Sequence, residues 1–382
     1  AWTTEYLIPI LHELIDRYRP GHFWLDGLWL EGRPCYCEHC RRRFERTYGY
    51  PLPLQPTDEQ QGDIGEMLEA SVDDALRLIR TAVSAKDPDI LLAANTAYFS
   101  KDLRPPVGVD WLSWDYVNTP DWRALPFQCT YLATAGRPAD IMIYEARRPL
   151  THLKTEAATM LAHGMRFHLW HDPLPDGAIK PKSLELGAGL AKFIRERGTW
   201  CIGSDPSANV AIFASRRLHV TAGARELDLA IQSMHEILRQ GHVPCEVVRR
   251  DTFLARKERY RVMIVPDTRL MFREDARILK TFVEGGGALV VIGPLPRDLA
   301  SELELAPPPT GENVTRSIGA GRVLYIARNL ISEFRALADP DTRDEALRVV
   351  REVLGPVETI RVNAPTGVEV VPVVHDGSLH VH

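Results

Sequence analysis

The sequence has no run approaching the ~20 apolar residues that a membrane-crossing helix needs, so it offers no spanning segment and reads as soluble. It also has little charge of either sign to spare: 46 Lys and Arg stand against 51 Asp and Glu, a net of −5. Nucleic-acid binding calls for a clustered positive face, which that balance argues against. The one basic cluster, Arg41-Arg42-Arg43, shares its segment with Glu45 and reads as a solvated helix face. Cysteine is scarce at 6 residues in 382, which excludes a disulfide-framed scaffold. Internal repeats, low-complexity tracts and a charged-then-apolar leader are missing as well. The chain opens on Ala1 in what reads as a helix and stops in mid-pattern at Leu379-His380-Val381-His382. Both ends therefore read as cut, the chain as a fragment, and its compartment stays open.

What is present is long enough for two domains or more, since a single core stops growing at roughly 250–300 residues. Over the first 200 residues, short apolar runs alternate with amphipathic stretches, the signature of βα units around a parallel sheet. Strands are expected at 22–26, 91–95, 111–115, 141–145 and 166–170, and helices at 6–19, 40–48, 64–85, 151–163 and 183–197. Gly164 and Gly198 suit helix C-caps. Polar and aromatic residues gather at the strands' carboxyl ends, where a (β/α)8 barrel keeps its site, but five strands cannot close a barrel of eight. Residues 1–203 are thus expected to be the second half of a barrel.

After Ser204-Asp205-Pro206 a second, doubly wound α/β domain is expected, with strands at 210–214, 245–248, 262–265 and 288–292 and helices at 226–240 and 274–284. A hairpin at 314–317 and 322–327 completes a flavodoxin-like domain over 204–335. A helix at 344–354 and short β runs at 358–362, 368–373 and 378–382 make a third segment, 336–382. Class I glutamine amidotransferases share the second architecture and put a Cys on a strand-to-helix turn, but here that turn reads Ile292-Gly293-Pro294. Gly285-Gly286-Gly287 precedes its strand, so it suits a helix C-cap better than a phosphate cradle.

Asp26 closes an aromatic and aliphatic run and precedes Gly27, so it reads either as a catalytic carboxylate at a strand end or as ordinary Asp-Gly turn chemistry. Glu145 ends the run Ile141-Met142-Ile143-Tyr144; an acid beside so apolar a run is costly unless paired or wet, so it reads as catalytic or as the partner of Arg147, Arg148 or Arg166. A glycosidase sets two carboxyls about 5–5.5 Å apart for retention and about 6.5–9.5 Å for inversion, and two rim acids satisfy either. Sugar C–H faces pack on flat rings, and Trp29, Trp114, Tyr116, Trp122 and Trp170 crowd the strand ends. Asp115, His171 and Asp172, with Asn95 as a neutral donor and acceptor, are candidates for binding hydroxyls. Cys35, Cys37, His39 and Cys40 offer thiolates and an imidazole at spacings that suit structural zinc, with free thiols as the alternative.

The stretch HFWLDGLWLEGRPCYCEHCRRRFERTYG resembles the part of the family 42 β-galactosidases in which a fourth-strand catalytic acid precedes a CxCxxC cluster and an R-F-x-x-x-Y-G helix. The resemblance implies a structural zinc held by Cys35, Cys37 and Cys40 with a fourth Cys from earlier in the barrel. It also implies that Glu145, at the end of the seventh strand, is the nucleophile. The chain departs from that family at the fourth strand, where Asn-Glu is replaced by Leu25-Asp26-Gly27. The same stretch is similar to family 29 α-L-fucosidases, whose nucleophile is the Asp of a W-F-D-G strand, a role that would fall to Asp26. Residues 210–293, with YRVMIVPD and FVEGGGALVV, resemble the β-galactosidase trimerisation domain, which implies a homo-oligomer, a trimer.

The resulting expectation is a retaining glycosidase acting on an oligo- or polysaccharide or other glycoside, with no cofactor in catalysis. Glu145 attacks the anomeric carbon and Asp26 protonates the leaving oxygen, or the two exchange roles. The rival from another class is a carbohydrate-binding or assembly protein on a degenerate barrel.

Overall fold

The first five strands all run the same way and pair in sequence order. The computed structural model describes residues 2–26, 34–95, 108–115, 124–145, 148–215, 224–268, 271–306, 312–355 and 360–382. A wide helical turn leads into α1 (Ile8–Tyr18), followed by β1 (His22–Leu25), α2 (Glu38–Tyr48), α3 (Asp58–Lys86), β2 (Leu91–Asn95), β3 (Trp111–Asp115) and α4 (Ala124–Ala133). Then come β4 (Ala139–Tyr144), α5 (Leu150–Ala162), β5 (Arg166–Trp170), α6 (Pro181–Arg195) and α7 (Gly198–Cys201). The sheet β1-β2-β3-β4-β5 is parallel throughout and curled, the partial (β/α) barrel expected of residues 1–203.

The two faces of this sheet differ, as period-2 alternation requires. Leu25, Leu92, Ala94, Leu112, Trp114, Ile141 and Ile143 point to the helices and share a core with Leu76, Ile79, Val83 and Leu153. The alternate positions carry Trp24, Asn95, Ser113, Asp115, Asp140, Tyr144 and His168, which hydrogen-bond or stack among themselves on the concave side. Each strand thus has one apolar and one polar face, unlike the near-continuous apolar strands of most parallel sheets.

Several helices depart from the sequence pattern, two of them at starts set by side-chain caps. α3 starts at Asp58 rather than 64 because Thr57 and Gln60 form a reciprocal capping box. The helix Pro340–Leu354 starts at 340 rather than 344 because Asp339 Oδ2 accepts from the Thr342 N–H at 2.8 Å and Pro suits the first turn. Cys37 is the N-cap residue of α2. α4 was not expected, nor were the short helices Gly198–Cys201, Arg250–Arg256, Arg297–Leu303 and Leu330–Leu337; residues 125–132 of α4 are all buried, so it shows no polar stripe.

The second half opens with β6 (Asp205–Pro206), β7 (Val210–Phe213), α8 (Ala224–Gln240), β8 (Cys245–Val248), α9 (Arg250–Arg256), β9 (Val262–Pro266), α10 (Arg273–Glu284), β10 (Ala288–Ile292) and α11 (Arg297–Leu303). It continues with β11 (Val314–Ile318), β12 (Gly321–Ile326), α12 (Leu330–Leu337), α13 (Pro340–Leu354), β13 (Pro372–His375) and β14 (Ser378–Val381). A six-stranded sheet in the order β11-β12-β10-β9-β7-β8 is parallel but for the β11–β12 hairpin. Ile212, Ile264 and Val290 on one face meet α8, α12 and α13, and Val265, Leu289 and Val291 on the other meet α10 and α11. Gly285 caps α10, as expected, while Gly287 lies against the Phe282 ring, where a Cβ would clash.

Residues 378–381 form β14, which pairs with β13, and β13 pairs with β6 in a small antiparallel sheet. The run expected at 358–362 lies partly outside the described residues, and its remainder, 360–362, forms no strand. Among the described residues no helix is long and apolar enough to cross a membrane.

Candidate active site

Parallel pairing brings the carboxyl ends of all five strands to one edge, and the residues there come together across strands. The Asn95 side chain, 1% exposed, donates from Nδ2 to Asp26 Oδ1 at 3.1 Å and to Asp115 Oδ2 at 2.8 Å. One amide on β2 thus clasps the carboxyls that follow β1 and end β3. The Tyr144 hydroxyl on β4 hydrogen-bonds Asp115; burial, then the charges of Asp115 and Asp26, push its phenol up, which keeps it a proton donor. Trp170 at the end of β5 is 38% exposed, its ring 5.2 Å from that of Tyr144. His171 and Asp172 follow it, half-buried and exposed.

A second polar layer lies below. Trp24 Nε1 donates to Ser113 Oγ at 2.8 Å, Ser113 Oγ donates to Asp140 Oδ1 at 2.6 Å, and Trp111 Nε1 donates to Asp140 Oδ2 at 2.9 Å. His168 Nδ1 stands 3.5 Å from Asp140 Oδ1. Sequence reasoning missed Trp24, Trp111, Ser113, Asp140, Tyr144 and His168. The available signal was alternation within a strand, as at Trp111-Ser113-Asp115 and at Asp140 and Tyr144.

Glu145 goes elsewhere. It shares the parity of Ile141 and Ile143, and its Oε1 accepts from Ser183 Oγ of α6 at 2.8 Å, while Oε2 is buried with no partner among the described residues. The salt bridge considered from sequence does not form with Arg148, whose guanidinium pairs with the buried Glu156. Trp114 is corrected: 3% exposed, it packs in the helix-side core with its ring 6.0 Å from that of Tyr131. With Ser113 and Asp115 on the concave side, the residue between them must face the other way. Trp29, Tyr116, Trp122 and Arg147 lie outside the described residues.

No family model and no curated protein matches the sequence. Solved structures do. An α-L-fucosidase isoenzyme 2 from Paenibacillus thiaminolyticus superimposes with a TM-score of 0.76 at 15% identity, over 98% of this chain and 68% of its own. A β-galactosidase from Bacillus circulans sp. alkalophilus gives 0.74 at 14%, over 98% and 74%. A catalytic mutant of a GH42 β-galactosidase from G. stearothermophilus gives 0.69 at 15%, over 98% and 75%. The chain has a GH42-like fold.

On this GH42-like scaffold the cysteine cluster lies at the start of α2. The three Sγ atoms of Cys35, Cys37 and Cys40 lie within 4.8 Å of one another, and none is in a disulfide. The Cys40 backbone N–H, then the Cys35 thiol, pull the Cys37 thiol below its usual range, whereas burial pushes Cys40 up to about 12. Sulfurs on a tetrahedral zinc with bonds of about 2.3 Å stand roughly 3.8 Å apart, so three convergent thiols fit such an ion.

Proposed function

We propose that this protein is a glycoside hydrolase whose site lies on the concave rim of the half-barrel. One observation carries the reading: on a glycosidase fold, Asn95 clasps two carboxyls at the strand ends, where barrel enzymes keep their chemistry. Hydrolysis needs one carboxyl to protonate the leaving oxygen and a second to act on the anomeric carbon or on water. The rim supplies Asp26, Asp115 and Glu145, with Trp170 as a platform for a sugar face and His171 and Asp172 to meet hydroxyls.

The substrate classes to try first are β-galactosides and α-L-fucosides, the groups for which two of the similar structures are named. The second is favoured by the Asp at the end of β1. The test is hydrolysis of p-nitrophenyl β-D-galactoside and α-L-fucoside by the full-length protein. Turnover that falls by about 10³-fold or more in Asp26→Asn is expected. If Asp26→Asn, Asp115→Asn and Glu145→Gln all keep wild-type turnover, the reading is wrong.

Two further parts belong to the proposal. Cys35, Cys37 and Cys40 would hold a structural zinc with a fourth ligand, an ion that would tie α2 to the rest of the barrel without entering the chemistry. The second α/β unit would assemble the chain as a homo-oligomer, a trimer on the resemblance of residues 210–293, which sedimentation analysis tests directly.

A further inference from the structure

A second group of metal-ligating side chains gathers where the small antiparallel sheet meets the half-barrel, and we infer that Cys201, His380 and His382 form a zinc site separate from the cysteines at α2. His380 on β14 and His382 just past it are two residues apart, so they share one face of the strand. Their rings are nearly parallel, at 10°, with centres 6.4 Å apart. Backbone bonds of 3.0 Å in both directions between Val371 and His382 hold that end of the strand in register. Facing them, Cys201 closes α7 at 5% exposure, and its Sγ lies 3.9 Å from each ring nitrogen of His382. All three side chains line one cavity of about 580 Å³ between α5, α7 and β14.

These distances suit zinc, which takes thiolate and imidazole together in a tetrahedral array. With a Zn–S bond of about 2.3 Å and a Zn–N bond of about 2.0 Å, such an ion sets sulfur and nitrogen about 3.5 Å apart. The 3.9 Å between Cys201 and His382 is longer by about 0.4 Å. Two imidazoles on the same ion have ring centres about 5 Å apart, so His380 joins by turning its ring inward by roughly 1 Å. That turn separates this site from the three sulfurs at α2, which already lie within 4.8 Å of one another.

The chemistry of the donors agrees with the geometry. Burial, then the charge of His380, holds the His382 imidazole below its usual range, which leaves it neutral and able to ligate near pH 7. Burial pushes the Cys201 thiol up, so the entering ion displaces its proton, which passes to water. Three protein ligands leave the fourth tetrahedral position open to the cavity. The cavity lies against the end of α5 that leads into β5, the opposite end of the half-barrel from the rim. The site therefore stands apart from the glycosidase reading: it fastens β14 to α7, and through β13 to β6, on the face where a barrel's side chains serve stability.

The experiment is zinc binding by the full-length protein, with zinc sulfate alone as the probe, in wild type, Cys201→Ser, His380→Gln and His382→Gln. Each is measured with and without Cys37→Ser, which takes the α2 cluster out of the count. Each of the three substitutions is expected to remove about one ion per chain, or to raise its Kd by at least about 100-fold, by the same amount in both backgrounds. X-ray absorption at the zinc edge in Cys37→Ser is expected to show sulfur and two imidazoles around the ion. His380→Gln changes a half-buried strand residue and keeps the test readable should the buried Cys201→Ser not fold. If Cys201→Ser keeps the full count while the histidine variants lose it, the ion sits on an adventitious pair of imidazoles and the inference is overturned. If all four proteins bind the same amount, Cys201 and His382 share a hydrogen bond and nothing more, and it is overturned as well.

Discussion

At the scale of single residues, Asn95 does most to define the rim. Its amide bonds both neighbouring acids, so its loss takes a donor from two carboxyls at once. Asn95→Ala is expected to cut kcat/KM by about 100-fold with little change in fold, as loss of one preorganised donor does elsewhere. Asn95→Asp should cost more, because a third negative charge would stand where two donors now sit; steady-state kinetics on the active glycoside rank the two. Asp26, Asn95 and Asp115 were legible in the sequence because each ends an apolar run where the chain must turn. Trp114 was misread because an indole beside a strand end looks the same on either face, and only the one-residue parity separates core from rim. Ser113 and Asp140 were invisible for a related reason: a polar residue in mid-strand makes sense only once the other strands supply its partners.

His235 is a second residue with a measurable consequence. It is fully buried at the junction of α4, α5, α8 and the 369–372 segment, and burial holds it down to about 3, with Thr130 Oγ1 3.1 Å from Nε2. Glu369, His163 and Arg239 are the ionisable groups facing it, and Glu369, bonded to His163, is itself held below its usual range. The unfolded chain protonates this histidine near 6.5 and the folded chain does not until about 3, so stability is full above pH 6.5 and falls as pH drops through that window. The slope contributed is about 1.4 kcal/mol per pH unit. Urea midpoints between pH 7 and 4 should fall steeply in wild type and less steeply in His235→Gln.

At the scale of elements, α2 and α4 show where sequence pattern suffices and where it fails. The cysteines and the basic outer face of α2 were readable, though the helix starts at Glu38 rather than at the expected 40, and α2 buries only Phe44, beside Leu52, Ile64, Met67 and Leu68 in a small satellite core. So slight a core makes this region the natural beneficiary of a metal clip. Cys40→Ser is expected to lower bound zinc by about one ion per chain. Amide protons of α2 should then exchange faster while those of β7 and β9 stay protected, and metal analysis with hydrogen exchange checks both. α4 failed as a pattern because helix reading depends on a wet side that supplies contrast. It sits between the half-barrel and the second sheet, where Thr134 Oγ1 donates to Val247 O at 3.0 Å and Arg249 Nη1 donates to the Tyr131 hydroxyl at 3.0 Å. Its identity as a helix lies in its neighbours' sequences as much as in its own.

At the scale of the whole molecule, the two α/β units and their order were legible because parallel strands and their helices repeat with clear periods. The share each segment takes of the common core was not. α13, grouped by sequence with the C-terminal β runs, packs on α8, β9 and β10. The largest core is continuous from Leu76 and Leu153 through α4 to Ile212, Val290 and Val350, so it spans both sheets. All 8 tryptophans lie before residue 204 in the sequence. Indole fluorescence therefore follows the half-barrel alone, whereas far-ultraviolet circular dichroism follows both units. The two signals are expected to report one coincident thermal transition; a fluorescence melt that precedes the dichroism melt would show that the halves come apart separately.

The absence of a wet face on α4 bears on what can be taken from this molecule. A helix dry on every side acts as a weld, and α4 joins β3 to β4, the strands that carry Asp115 and Tyr144. Cutting the second unit away would strip one wall from that helix, leaving apolar surface exposed beside the polar rim. The half-barrel is therefore no separable module, and loosening of the second unit, though remote from any sugar, should be felt as slackness in the grip on Asp115.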